Sequence, residues 1–299
     1  ALVPLAWRCA RRLPARARLL TTFLVVVSSL HVELSSDARM YSLLALASTA
    51  FLAQVLDIFE EGRGGLGLGL WMAVGLHTHY HFLYVLLLLG GGALALAWFE
   101  PVLRPARARL AGGLALGLLL ALPWYLLVFP GQLGHGLAPG GSDGSAQRLL
   151  EGYKNLVFWN VSVSAQRVRW IGLAGSGLLL LLAAGGAWLA LGTRDPLQRA
   201  RGALLVLAAF GIPALAALVT QLSPRAGFEW RYVSGALVAL CWLATEAGTR
   251  AGAWSRARAL GAAAMAAAAL VISLANLTDP GEEDYRGAVA TLLAEARPG

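Results

Sequence analysis

The chain has 299 residues, of which 58% are hydrophobic and only 13% charged, against roughly 25% charged in an ordinary soluble domain. So apolar a composition leaves too little polar surface for a water-soluble globule, and repeated runs of about 20 apolar residues match the ~30 Å hydrocarbon core of a bilayer. The net charge of +8 rests almost wholly on arginine, since Lys154 is the single lysine. These arginines fall in short clusters between apolar runs, which reads as membrane topology, with no nucleic-acid partner expected.

The apolar runs are continuous rather than alternating, which excludes a β-barrel and predicts an all-α, polytopic helical membrane protein. Cys9 and Cys241 form no CxxC pair, so neither a disulfide framework nor a cysteine metal site is supported.

In chain order, Ala1–Trp7 reads as the remnant of a span. About nine spans follow: Leu19–Ser36, Met40–Leu56, Leu66–Thr78, Phe82–Phe99, Leu110–Phe129, Ile171–Leu191, Ala203–Leu222, Val233–Ala247 and Ala259–Leu277. Threaded alternately, they put Trp7–Arg18, Asp57–Gly65, Glu100–Arg109, Gly192–Gly202 and Gly248–Arg258 on one side. That side carries 15 of the 24 basic residues and is read as cytoplasmic. Trp7, Trp98, Trp159, Trp170 and Trp254 lie near span ends, as an interfacial belt requires.

The opposite, outer face then receives Asp37–Tyr41, His77–His81, Pro130–Arg169, Ser223–Tyr232 and the tail. Leu66–Thr78 is short and almost touches Phe82, which predicts a tight hairpin with His77–His81 at its tip. In the long loop 130–169, Leu149, Leu150, Tyr153, Leu156 and Val157 have helical spacing, which predicts an amphipathic helix on the outer surface. Residues 1–278 form the membrane core in this reading. Residues 279–299, with Tyr285, Val289, Leu292 and Leu293 on one face, begin an outer soluble segment.

Asp37 and Arg39 sit two residues apart in the joint between two spans. Ionisable groups beside hydrocarbon are costly unless paired or hydrated, so their presence points to function. Arginine offers a phosphate planar, always-charged donor geometry. Arg39 and Arg231 are the two outer arginines nearest span ends that are flanked by tyrosine. A bland alternative is an Asp37–Arg39 pair that only caps a helix.

The run Ser35-Ser36-Asp37-Ala38-Arg39-Met40-Tyr41-Ser42-Leu43 resembles the "SQEARMYAL" segment of bacterial glycosyltransferase family 39, with Asp37 at the place of the family's glutamate. Thr78-His79-Tyr80-His81-Phe82 is similar to that family's "THYF" hairpin. Trp230-Arg231-Tyr232-Val233 is similar to its "RYL" segment, and Glu283-Asp284-Tyr285-Arg286-Gly287-Ala288 to its "EDWRGAA" run. The resemblance extends over nearly the whole chain.

It implies a superfamily C integral membrane glycosyltransferase, related to protein O-mannosyltransferases, in a bacterial inner (plasma) membrane with its active face outward. Its donor would be a polyprenyl-phosphate-linked sugar and its acceptor a lipid, protein or glycan. The resemblance further implies Arg39 and Arg231 on the donor phosphate, Asp37 in a positioning role in catalysis, and Tyr41, His79 and Tyr232 supporting them. The catalytic carboxylate would lie in an outer loop upstream of Ala1. A divalent metal is left open, with Asp37 and His79 as candidate ligands.

Other patterns carry less. His77 and His81 would share a face at i, i+4 on a continuous helix, a spacing zinc sites use, but no acid or cysteine adjoins them. Gly62-Arg63-Gly64-Gly65-Leu66-Gly67 fits GxGxxG without the preceding strand of a dinucleotide site. Gly140-Gly141-Ser142-Asp143-Gly144 fits GxSxG without a strand–turn–helix context. Gly113, Gly117 and the Gly90–Gly92 triplet read as close helix-packing positions. The rival class is a polytopic transporter. Transporter sites favour ionisable groups or broken helices at the midplane, whereas here the span centres are nearly free of charge.

Overall fold

The computed structural model describes residues 2–28, 40–128, 149, 153, 169–222, 234–249 and 255–278. Within them the chain is helical, with no strand. We number the helices α1 (Leu2–Cys9), α2 (Ala15–Val26), α3 (Met40–Glu61), α4 (Gly65–Thr78), α5 (Phe82–Phe99), α6 (Pro101–Leu127), α7 (Arg169–Leu191), α8 (Pro196–Leu222), α9 (Leu237–Thr249) and α10 (Ser255–Thr278). Six of them, α3, α5, α6, α7, α8 and α10, are long and apolar enough to cross a membrane. The expected spans over Leu19–Ser36, Leu66–Thr78 and Val233–Ala247 correspond to the shorter α2, α4 and α9.

The bundle is built around α3 and α9, which are buried along most of their length. An apolar helix becomes central when neighbours cover all its faces, and α9 does so with no charge before Glu246. Glycine sets how closely helices approach. A Cβ on Gly69 would meet the Gly113 carbonyl at 2.7 Å, and one on Gly113 would meet the Gly65 carbonyl at 2.6 Å. Gly117 sits equally close to Met72. The α4–α6 contact is thus the small-residue packing expected of Gly113 and Gly117. Thr21 and Thr245 join α2 to α9 through a buried hydroxyl pair at 2.6 Å.

The arginine-rich segments gather at one end of the bundle. The expected loop start at Asp57 is corrected: α3 continues a further turn to Glu61, and Asp57 is buried. What sustains the extra turn is charge. Arg8, Arg11 and Arg12 repeat at i, i+3, i+4, as do Asp57, Glu60 and Glu61, so each set forms one stripe. Asp57 accepts from Arg8 at 3.2 Å, from Arg11 at 3.1 Å, and from Arg12. Arg12 also binds Glu60, and Arg11 binds Glu61. Arg199 pairs with Glu100 at 2.7 Å, and Arg201 stands 3.9 Å from Glu246.

Two spans depart from α-helical winding at mid-length, at Leu86–Gly91 in α5 and Leu207–Gly211 in α8, each widening to a π turn. The two turns touch: a Cβ on Gly92 would meet Leu207 at 2.7 Å, and one on Gly211 would meet Leu88 at 3.4 Å. In α8 the cause is Pro213, whose ring has no N–H for the carbonyl of Ala209 four residues earlier.

Candidate functional site

The other end of the bundle carries the hairpin between α4 and α5. Helix α4 stops at Thr78 because His79 turns to extended backbone (φ −160°, ψ 136°). The carbonyls of His79, Tyr80 and His81 then accept from Phe82, Leu83 and Tyr84, each at 3.0 Å, which starts α5. Phe82 folds back over Gly75, where any Cβ would overlap its ring, and meets Phe51 of α3 edge-on at 5.7 Å. The hairpin expected at His77–His81 is therefore present, with a connection of three residues.

That break separates the histidines. His77 belongs to α4 and donates from Nδ1 to the Ala73 carbonyl at 2.8 Å, while His81 lies past the helix end. The i, i+4 relationship that a continuous helix would give His77 and His81 does not exist. Among the described residues no three His, Cys, Asp or Glu side chains converge on a metal-sized point.

His79 and His81 face one another instead. The backbone N–H of His81 donates to His79 Nδ1 at 3.1 Å, and the two Nδ1 atoms lie 2.8 Å apart. Both residues are buried. Burial lowers the His79 pKa to about 4; burial, and secondarily the neighbouring His79, lowers that of His81 to about 2. Both imidazoles are thus neutral at physiological pH. Aromatic rings surround them. Tyr41 stands 5.4 Å from His79, Tyr80 lies against both imidazoles at 4.5 and 4.2 Å, and Tyr84 meets His81 edge-on at 5.2 Å.

Beside this cluster runs an apolar groove of about 950 Å³ between α3 and α4. Met40 and Leu43 form one wall, and the face of α4 from Gly67 to Thr78 forms the other. At 1.5 Å per residue that face is roughly 16 Å long. Its polar side chains His77 and Thr78 lie at the C-terminal end of that face, and the apolar remainder can accommodate a hydrocarbon chain.

Of the residues singled out from the sequence, the structure brings Tyr41 and His79 together. Asp37, Arg39, Arg231 and Tyr232 lie outside the described residues, as does the segment 279–299. The sequence reading paired His81 with His77 rather than with His79, and passed over Tyr80 and Asp57 as site residues. The matched i, i+3, i+4 stripes of Arg8/Arg11/Arg12 and Asp57/Glu60/Glu61 were the available signal for Asp57. Tyr153, expected on the apolar face of an outer-surface helix, is buried against the π turn of α8, with its hydroxyl 3.0 Å from the Ala209 carbonyl.

Fold and site define an all-helical, multi-pass membrane protein with ion pairs at one end and a histidine–tyrosine cluster beside an apolar groove at the other. No family model, curated protein or solved structure matches the chain.

Proposed function

We propose that the chain is an integral membrane glycosyltransferase, moving a sugar from a polyprenyl-phosphate carrier to an acceptor on the outer face of a bacterial plasma membrane. The groove between α3 and α4 is the observation that carries this reading. It is apolar along roughly three helical turns, and Met40, the residue after Arg39, is part of its lining. An isoprenoid tail lying there with its phosphate at the Met40 end would present that phosphate next in sequence to Asp37 and Arg39, and arginine is a fitting partner for it. In this reading Arg39 and Arg231 hold the phosphate, Asp37 positions it with or without a divalent metal, and Tyr41, His79 and Tyr232 support the site. The acceptor oxygen bonds to the anomeric carbon, the bond from that carbon to the phosphate oxygen breaks, and a carboxylate takes the hydroxyl proton.

The test is transfer of radiolabelled sugar from a polyprenyl-phosphate donor in membranes containing the protein. Arg39→Lys keeps the charge but loses the planar fork, and is expected to lower turnover about ten- to hundredfold. Val74→Trp narrows the groove and is expected to raise KM for a long-chain donor but not for a short-chain analogue. Equal turnover by wild type and both variants would sink the proposal.

A transporter is the second reading, and one observation favours it. The touching π turns of α5 and α8 put irregular backbone at mid-membrane depth, which is tolerated only where protein or a cavity surrounds it. Their side chains are all apolar or glycine, which suits packing better than an ion path. Substrate flux without a covalent product would decide for transport.

A further inference from the structure

The two polar side chains at the end of the groove, His77 and Thr78, both donate their hydrogens to their own helix. A carbonyl oxygen can only accept, so the 2.8 Å contact between His77 Nδ1 and the Ala73 carbonyl puts a hydrogen on Nδ1. Thr78 likewise donates its hydroxyl to the Val74 carbonyl at 2.7 Å. What remains is acceptor capacity: a lone pair on Nε2 of the neutral imidazole, and those on the Thr78 oxygen. Neither has a further hydrogen-bond partner among the described residues, and His77 is exposed. Helix α4 ends at Thr78, so the carbonyl end of its dipole adds partial negative charge at the same place. Trp71 is the one other polar side chain in the lining. It lies six residues before His77, roughly 9 Å down the helix axis.

We propose that this end of the groove binds the hydroxyl groups of a sugar carried on a hydrocarbon tail, with His77 Nε2 and Thr78 Oγ1 as acceptors. A phosphate presents oxygens that accept, and the His77–Thr78 pair has no hydrogen to offer them, while the dipole of α4 repels their charge. An ammonium head would need a counter-charge, and none of the residues lining the groove is acidic. A sugar presents neutral O–H groups, which is what two acceptors without a donor select. The apolar face from Gly67 to Val74 takes the tail. That the sugar is the one on the polyprenyl-phosphate donor rests on the transferase reading above; the preference for a hydroxylated head stands on the groove alone. Under that reading the two walls divide the donor between them, phosphate to arginine beside α3 and sugar to the acceptor pair on α4.

Binding of radiolabelled decyl glucoside, decyl phosphate and decylamine to the protein in lipid nanodiscs tests this, with empty nanodiscs subtracted. Wild type is expected to bind the glucoside most tightly. His77→Phe keeps a ring beside Trp124, 6.0 Å away, and removes Nε2; Thr78→Val removes the hydroxyl. Each is expected to raise the Kd for the glucoside about two- to tenfold, the size of one neutral hydrogen bond, and to leave that for decyl phosphate unchanged. Should His77→Phe fail to fold, Thr78→Val carries the comparison. The three ligands share one tail, so an equal loss for glucoside and phosphate would place the effect on the tail and overturn the assignment. Tighter binding of phosphate or amine would do the same. The chain has five histidines, few enough for solid-state NMR of the ¹⁵N-histidine-labelled protein in bilayers near neutral pH, with His77→Phe identifying the His77 signals. The hydrogen is expected on Nδ1 alone, with Nε2 shifting on addition of the glucoside but not of decyl phosphate. A hydrogen on Nε2, or an Nε2 that the glucoside does not move, would overturn the inference. If the glucoside binds as expected but wild type transfers no sugar, the transferase reading fails and the hydroxyl site stands. If transfer occurs and His77→Phe leaves the donor KM unchanged, the sugar is held elsewhere.

Discussion

The hydroxyl of Tyr153 donates to the carbonyl oxygen of Ala209 at 3.0 Å, supplying the hydrogen bond that Pro213 cannot return. Ala209 lies near the middle of α8, where an unpaired carbonyl has no water to turn to. The tyrosine ring packs 6.0 Å from Phe210, so contact and hydrogen bond arrive together. Tyr153→Phe keeps the ring and orphans the carbonyl, with an expected loss of about 1–3 kcal/mol. In a Pro213→Ala background the restored amide can serve Ala209, and the same substitution is expected to cost markedly less. Thermal unfolding of the four proteins in detergent measures the cycle. Equal losses in both backgrounds would break the link between Tyr153 and Pro213.

What could be read from the sequence was whatever depends on neighbours along the chain. Apolar runs located the helices, the short gap before Phe82 located the hairpin, and Gly113 and Gly117 marked a close helix contact. Tyr153 shows where such reading ends. Its spacing was that of a surface helix, but its partner is 56 residues away, and periodicity says nothing about which face another helix will cover. Asp57 looked like the first polar residue of a loop because its partners lie more than 40 residues upstream. Helical spacing paired His81 with His77, and only the break at His79 turns it toward its nearer neighbour instead. Asp37, Arg39, Arg231 and Tyr232 came from the placement of charge beside the spans and from a resemblance, and they lie outside the described residues.

Two glycines on α7 separate close packing from helix propensity. A Cβ on Gly186 would run into the backbone carbonyl of Leu243 on α9, whereas one on Gly177 would meet nothing within 4 Å. Backbone cannot rotate aside as a side chain can. Gly186→Ala is expected to push α7 from α9 and destabilise by about 1–3 kcal/mol, while Gly177→Ala is expected to be neutral or slightly stabilising. Melting temperatures of the two single variants test this. A Gly186→Ala protein as stable as Gly177→Ala would mean that the α7–α9 contact is looser than described.

Asp57 should matter far more than the acids around it. Its side chain is 6% exposed and faces Arg12, itself 5% exposed, as well as Arg8 and Arg11. Removing the carboxylate leaves Arg12 buried with one fewer counter-charge, a kind of loss that costs about 3–5 kcal/mol when a buried pair is broken. Glu61 is more open to solvent, so Glu61→Ala is expected to be close to neutral. Denaturation of Asp57→Ala and Glu61→Ala, each compared with wild type, reads the difference. Comparable losses would show that the network shares its charge evenly rather than centring on Asp57.

The histidine pair predicts how stability responds to acid. The folded protein holds His79 at about 4 and His81 at about 2, against an ordinary value of 6.5. Below about pH 6.5 the unfolded chain binds protons that the folded chain refuses, so stability falls as pH falls and levels off above about pH 7. For His79 the loss runs from about 6.5 down to about 4, and for His81 it continues lower. Each contributes at most roughly 1.4 kcal/mol per pH unit within its window. Carboxylates take over in more acidic solution, so the informative range is pH 7 to 5. Melting temperature of the detergent-solubilised protein is expected to drop across that range. The His79→Gln, His81→Asn double variant is expected to start lower at pH 7 and to change less towards pH 5. A wild-type melting temperature that is flat from pH 7 to 5, or a double variant with the wild-type slope, would mean that the pair accepts a proton in the folded state. The neutral state assigned to both imidazoles would then have no basis.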